Sequence, residues 1–189
     1  MALERSKMDV YSEIEELFTS GVSEEYLGED VKLVEHMLQC ADHARASGAP
    51  SELVIAALLH DIGHLLVDDA AAAHIAGEDA HHDEIGAQWI EARFPESVSE
   101  PVRLHVDAKR YLVSTDPLYM AKLSEASIHT LRLQGGLMDQ DQIKDFFTLP
   151  GAKAAIQVRL WDDVAKIRDK ATSTLDSFRI EIENLAGNR

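Results

Sequence analysis

Residues 53–66 read LVIAALLHDIGHLL. Wound into a helix, that stretch is apolar on nearly every face, so it is stable only at the centre of an assembly that keeps it from water. The surrounding segments carry the helical period on one face. A first helix is predicted over residues 10–18 on Val10, Ile14, Leu17 and Phe18, and another over 30–47, stopped by Gly48 and Pro50. The central segment runs as one helix from Ser51. Further helices are predicted over 82–94, 97–111, 117–131, 139–147 and 151–185, with a loop at Gln134-Gly135-Gly136. Residues 23–28 and the alanine-rich stretch 68–79 read as connections, and no segment alternates as a strand does. The expectation is an all-α chain. At 189 residues, with no linker or repeat, one domain over 1–189 can bury roughly 70% of the surface of its unfolded chain.

Charge and cysteine content narrow the function. Eighteen Lys and Arg against 34 Asp and Glu give a net charge of −16, which argues against nucleic acid or an anionic membrane as principal partner, since both need clustered positive charge. No apolar run approaches the roughly 20 residues of a membrane span, and the opening MALERSKMDVYSEIEELF is amphipathic and acidic, unlike a secretion leader. Cys40 is the one cysteine, which rules out an intrachain disulfide or a cysteine-rich zinc site and predicts a reducing cytoplasm.

The pair His60-Asp61 sets an imidazole and a carboxylate inside the central apolar run, and burying an unpaired carboxylate costs several kcal/mol. Either backbone and an arginine satisfy the pair, or a cation does. Other histidines turn the same way. His36 lies on the stripe Leu33, His36, Cys40, Ala44; His82 shares a face with Ile85, Gly86 and Trp89; His105 follows Val102 by one turn, with Lys109 a turn further on. Arg159 and Asp162 share a helical row beside Trp161. Four inward imidazoles and two carboxylates point to a metal site. His36, His60, Asp61 and Asp162 would hold one ion, and His82 and His105 a second, with Asp61 shared. Imidazole and carboxylate without thiolate suit iron, manganese, zinc or nickel. His43, His74, His81 and His129 read as solvated.

This H…HD…D pattern resembles the HD-domain superfamily, in which a helical bundle holds metal and most members are phosphohydrolases. The segments EYLGED, VEHMLQCA, AALLHDIGH, HDEIGAQWI, HVDAKRYLVS, LSEAS, LQGGLMD and RLWDD more closely resemble the mixed-valent diiron oxygenases of the PhnZ type, which cleave organophosphonates. The likeness runs from about Tyr26 to Asp163, with residues 66–81 departing from the pattern. It implies a single HD-type bundle around two iron ions, Fe(II)/Fe(III). His36, His60, Asp61 and Asp162 would bind the ferrous ion, and Asp61, His82 and His105 the ferric one. Tyr26 matches a tyrosine that fills an open coordination position until substrate displaces it, and Glu29 an acidic residue near the ammonium end of the substrate. His64, Lys109, Ser127 and Arg159 match outer and phosphonate-binding positions. The implied reaction is O2-dependent cleavage of a 1-hydroxy-2-ammonioethylphosphonate, primary or trimethylated, to glycine or glycine betaine and phosphate. Lys109 and Arg159 fit a dianion inside an acidic protein. Tyr26, Tyr111 and Trp161 are the aromatics placed to help with the nitrogen. The rival readings are a metal-dependent phosphohydrolase and a metal-containing sensor without turnover.

Overall fold

A computed structural model describes residues 9–20, 29–67 and 81–187. Every regular element among them is helical: α1 (Val10–Thr19), α2 (Leu33–Ala46), α3 (Ser51–Leu59), α4 (Gly63–Leu66), α5 (His82–Glu91), α6 (Glu96–Arg103), α7 (His105–Thr115), α8 (Glu125–Leu133), α9 (Gln140–Thr148), α10 (Ala152–Val164) and α11 (Arg179–Gly187). Short 3-10 turns lie at Met120–Lys122 and Leu175–Phe178. The fold is all-α.

The apolar run occupies the centre. Every residue of α3 from Val54 to Leu59 is buried, with α2 on one side, α6 on another and α10 closing the packing. Burying each of its larger side chains contributes about 1.5–3 kcal/mol. The main core joins Leu33, Met37, Ile55, Leu58, Ile90 and Val158, while Leu104, Ala108, Phe146 and Ala155 form a smaller one among α7, α9 and α10. At the far edge α1 packs on α11, where the Arg179 guanidinium lies 3.6 Å from the centroid of the Tyr11 ring. Asp9 caps α1, Ser124 caps α8, and Asp139 with Gln142 forms a capping box on α9.

Where the fold departs from simple periodicity, it breaks helices that the pattern joins. The central segment is two helices: α3 stops at Leu59, and i→i+3 bonds (Ile62 N to Leu59 O, His64 N to Asp61 O) carry the chain through His60-Asp61-Ile62 into α4. Residues 97–111 divide at Leu104 into α6 and α7, with Pro101 already inside α6 removing one amide donor. Over 117–131 the regular helix begins only after its Ser124 cap. The long C-terminal helix ends at Val164 because the chain pairs with α2 instead: the carbonyl of Ala165 meets His36, and the backbone N–H and C=O of Ile167 meet Gln39. The expected connection over 68–79 and turn over 23–28 lie outside the described residues.

The approach of α4 to α5 requires glycine. A Cβ on Gly63 would sit 1.9 Å from the carbonyl oxygen of His82, and one on Gly86 3.1 Å from the Gly63 nitrogen. Gly63→Ala therefore has to part the two helices, and thermal or denaturant unfolding should show it about 1–3 kcal/mol less stable than wild type. Gly86→Ala should cost less. Equal, negligible losses would show that the contact yields freely.

Candidate metal centre

Five separate helices or helix ends deliver six side chains to one point. His36 projects from the middle of α2, His60 and Asp61 from the turn after α3, His82 and His105 from the first positions of α5 and α7, and Asp162 from the last turn of α10. All six are buried, none more than 7% exposed. Four of the six stand at helix ends or in the turn between helices, where the chain changes direction toward the common point.

Asp61 lies between two imidazole pairs. Its Oδ2 is 3.6 Å from His36 Nε2 and 3.4 Å from His60 Nε2, and its Oδ1 is 3.3 Å from His82 Nε2 and 3.5 Å from His105 Nε2. Within the pairs, the Nε2 atoms of His36 and His60 are 3.1 Å apart and those of His82 and His105 3.2 Å. Asp162 Oδ1 stands 3.4 Å from His36 Nε2, on the first pair's side.

The far edges of the rings fix what those Nε2 atoms are. His36, His60 and His105 direct Nδ1 at the carbonyls of Ala165, Ala57 and Val102, at 2.9, 2.9 and 2.6 Å. A carbonyl only accepts, so each Nδ1 carries a proton, and whenever the ring is neutral its lone pair lies at Nε2. Two such lone pairs 3.1 Å apart beside a carboxylate repel unless a proton or a metal ion lies between them. Asp61 Oδ2 and Asp162 Oδ1, both buried, make no hydrogen bond among the described residues. Ligand atoms of His36, His60 and Asp61, and again of Asp61, His82 and His105, lie within 4.8 Å of one another. The donor set is that of a metal-binding centre with room for two ions sharing one carboxylate.

The electrostatics agree. Burial opposes ionisation of Asp61, yet His60, His105 and His82 hold its carboxyl well below the usual range. Asp162 is held down likewise, against burial, by Arg159, Lys166 and His36. The site's demand for positive charge lifts His60 well above the ordinary imidazole range, burial being outweighed by Asp61 and Cys40. His64, stacked on His82 with ring centroids 4.0 Å apart, is driven well below it by burial and by the charge of His82.

Around the ligands lies a polar layer. Arg159 is committed on three sides: Nη1 to Asp162 Oδ2 at 2.5 Å, Nη2 to Asp163, and Nε to the Tyr119 hydroxyl at 3.3 Å. Lys109 donates to Thr130 Oγ1 at 2.9 Å and Gln134 Oε1 at 2.5 Å. Lys166 donates to Glu29 Oε1 at 2.7 Å and Ser127 Oγ at 3.0 Å, with Asp162 Oδ1 3.7 Å away. Glu29, His64, Lys109, Ser127 and Arg159 are thus all placed on or next to the centre, while Tyr26 lies outside the described residues. His82 is buried and its neighbour His81 exposed; Asp162 is buried and its neighbour Asp163 is turned to Arg159. Trp161 belongs to the main core and Tyr111 stacks on Phe146 and Phe147, so both aromatics serve packing. Sequence reasoning passed over Lys166, Thr130, Gln134 and Tyr119. The spacing Ser127, Thr130, Gln134, one face of a helix, was the available signal for two of them. For Lys166 the signal was its place four residues after Asp162 and seven after Arg159, on the same face of the expected helix.

The HD domain family model matches residues 33–133. Over 156 residues, 82% of this chain and 80% of the relative, the sequence is 46% identical to the 1-hydroxy-2-(trimethylamino)ethylphosphonate dioxygenase (glycine-betaine-forming) of Leisingera caerulea. Over 160 residues, 84% of this chain and 80% of the relative, it is 41% identical to the hydroxymethylphosphonate dioxygenase of Gimesia maris.

If Asp61 is shared, Asp61→Ala should lose both ions together, whereas Asp162→Ala should weaken one. Metal analysis of the purified variants checks this, and chelation of the wild type should lower its Tm because the facing lone pairs lose their cations. An Asp61→Ala protein that keeps two tightly held ions would sink the arrangement.

Proposed function

The chain belongs to the HD-domain family and, within it, to the phosphonate dioxygenases, and we propose that it cleaves the carbon–phosphorus bond of a 1-hydroxy-2-ammonioethylphosphonate, trimethylated or primary. The products are glycine betaine or glycine, with phosphate. The observation that carries the reading is the Asp61 carboxylate set between two imidazole pairs with three buried or nearly buried cations, Lys109, Arg159 and Lys166, in the layer beside it. A hydrolase of phosphate esters could use the same six ligands; the likeness to dioxygenases favours O2.

In this reading the ions are iron, Fe(II)/Fe(III), the first held by His36, His60, Asp61 and Asp162 and the second by Asp61, His82 and His105. Tyr26 is a removable ligand of the second. Bound iron supplies the redox capacity and the coordination positions that O2 and the substrate's C1 oxygen require. In the overall reaction the C1–H and C1–P bonds break, one oxygen atom of O2 joins C1 to complete a carboxylate and the other joins phosphorus. C1 gives up four electrons, O2 takes them, and one proton is released. The chain's own part is binding and orientation. Lys109, Ser127 and Arg159 face the phosphonate, Glu29 lies toward the nitrogen, and neutral His64 supports His82 through ring contact. Residues 1–189 act as one HD-type domain in the cytoplasm, with organophosphonate and O2 as partners and neither nucleic acid nor membrane. Among the described residues no helix is long and apolar enough to cross a membrane.

Oxygen uptake measured with phosphate release tests the reading: one phosphate per O2, and none without O2. Anaerobic phosphate release would mark a hydrolase, and neither signal a sensor. Lys109 supplies a further prediction. Burial, with Arg159 and Lys166 nearby, pushes its ammonium down to about 7, so it is cationic below that pH and neutral above. Inhibition by sulfate, a dianion throughout, should weaken as pH rises through neutrality, and Lys109→Arg should flatten the profile. Lys109→Ala should raise KM by about tenfold or more, the weight of a hydrogen bond to a charged group, with metal content unchanged. Loss of metal instead would make Lys109 a structural residue.

A further inference from the structure

The two oxygens of Asp162 are differently employed. Oδ2 accepts from Arg159 Nη1 at 2.5 Å and lies 4.0 Å from His60 Nε2. Oδ1 makes no hydrogen bond among the described residues and stands 3.4 Å from His36 Nε2. A guanidinium fork matches both oxygens of a carboxylate at once, so a contact through one oxygen needs something that holds the arginine to it.

Arg159 is held from its other side by a closed ring of hydrogen bonds. Nη2 donates to Asp163 Oδ1, the Tyr119 hydroxyl donates to Asp163 Oδ2, and the same hydroxyl accepts from Arg159 Nε at 3.3 Å. An ionised carboxylate only accepts, which makes the phenol the donor to Asp163. The Nε–Nη2 edge of the guanidinium is thereby engaged in the ring, and Nη1 is the end presented to Asp162. On α10 alone the choice would be open, because Asp162 and Asp163 lie three and four residues from Arg159, both within reach of one side chain. Tyr119 decides it from outside the helix. It is 3% exposed, packs with Val113, Leu123 and Leu131, and bonds its amide to the carbonyl of Asp116 at 3.0 Å, so the hydroxyl is delivered from a fixed turn after α7.

We propose that Tyr119 and Asp163 are positioning residues of the metal centre: by engaging one edge of Arg159 they restrict it to a single oxygen of Asp162 and leave the other for the ion held with His36 and His60. Without them the guanidinium can close on both oxygens of Asp162 as a fork, and the ion loses a ligand to a cation of the chain. The inference rests on the two-ion reading above and is independent of the substrate.

The test is anaerobic binding of Fe(II) alone to the metal-free protein, followed by competition with a chelator. Tyr119→Phe keeps the ring and the net charge and removes only the hydroxyl. It should weaken one of the two ions by about tenfold or more, the weight of an outer hydrogen-bond partner of a ligand, and leave the other within about twofold of wild type. Asp163→Ala should weaken the same ion more than the other. In an Asp162→Ala background Tyr119→Phe should weaken neither ion further, because its effect passes through Asp162. A ring that served packing alone would lower the Tm of the metal-free protein and act on both ions, whatever residue stands at 162. Unchanged binding in a folded Tyr119→Phe, equal weakening of both ions, or a loss that persists in the Asp162→Ala background overturns the proposal. A wild type that holds fewer than two Fe(II) overturns the two-ion reading and this role with it, whereas a failure to cleave phosphonates leaves both standing. If circular dichroism shows Tyr119→Phe unfolded, Asp163→Ala decides: equal weakening of both ions, or of neither, counts against the proposal.

Discussion

One carboxylate facing four imidazoles is the interaction on which the rest of this structure depends. Asp61 is 1% exposed, and a lone anion in that position would destabilise the chain by several kcal/mol. Its two oxygens divide the histidines into His36 with His60 and His82 with His105, so any cation that relieves one pair also draws on the anion serving the other. The centre behaves as a unit for that reason. It couples α2, α3, α5, α7 and α10 more directly than their apolar contacts alone would.

The irregularities of the helices are the means of building it. Three of the imidazoles rest Nδ1 on carbonyls at or near helix ends: Ala57 in the last turn of α3, Val102 in that of α6, Ala165 just past α10. At these positions the regular i→i+4 ladder is ending, so each ending supplies an acceptor that sets a tautomer. The Gly63 contact with His82 shows the same economy, as the close crossing of α4 and α5 holds His82 against Asp61. Stability and site geometry are set by the same features, and a substitution chosen to straighten one of these helices would move a ligand.

This also explains what could and could not be read from the chain. Inward-facing histidines sit where a 3.6-residue period expects leucine, so His36, His82 and His105 announce themselves, and the all-α class follows from the same period. The breaks at His60–Ile62, Leu104 and Ala165 leave no local signature comparable in strength, because they are paid for by distant partners: Ala165 and Ile167 leave the helix to bond His36 and Gln39, well over a hundred positions away in sequence. Lys166, four residues past Asp162, lies on the same face of the expected helix as Arg159 and Asp162 and was legible by that spacing. Tyr111 and Trp161 erred the other way, plausible by position yet used in packing against Phe146 and in the main core.

The acidic exterior and the nearly balanced charges of the interior form one electrostatic arrangement. A net charge of −16 repels a phosphonate dianion at long range, though screening confines that field to about 8–10 Å in ordinary salt. Inside, Lys109, Arg159 and Lys166 stand against Asp61, Asp162, Asp163 and Glu29, close to neutrality before any metal is counted. Two multivalent cations at the centre would carry the balance well into the positive. An anion is then the natural complement of the loaded site. In the proposed reading a dianion with a cationic tail would suit it better than a simple one, its head at Lys109 and its tail toward Glu29, whose charge is partly offset by Lys166.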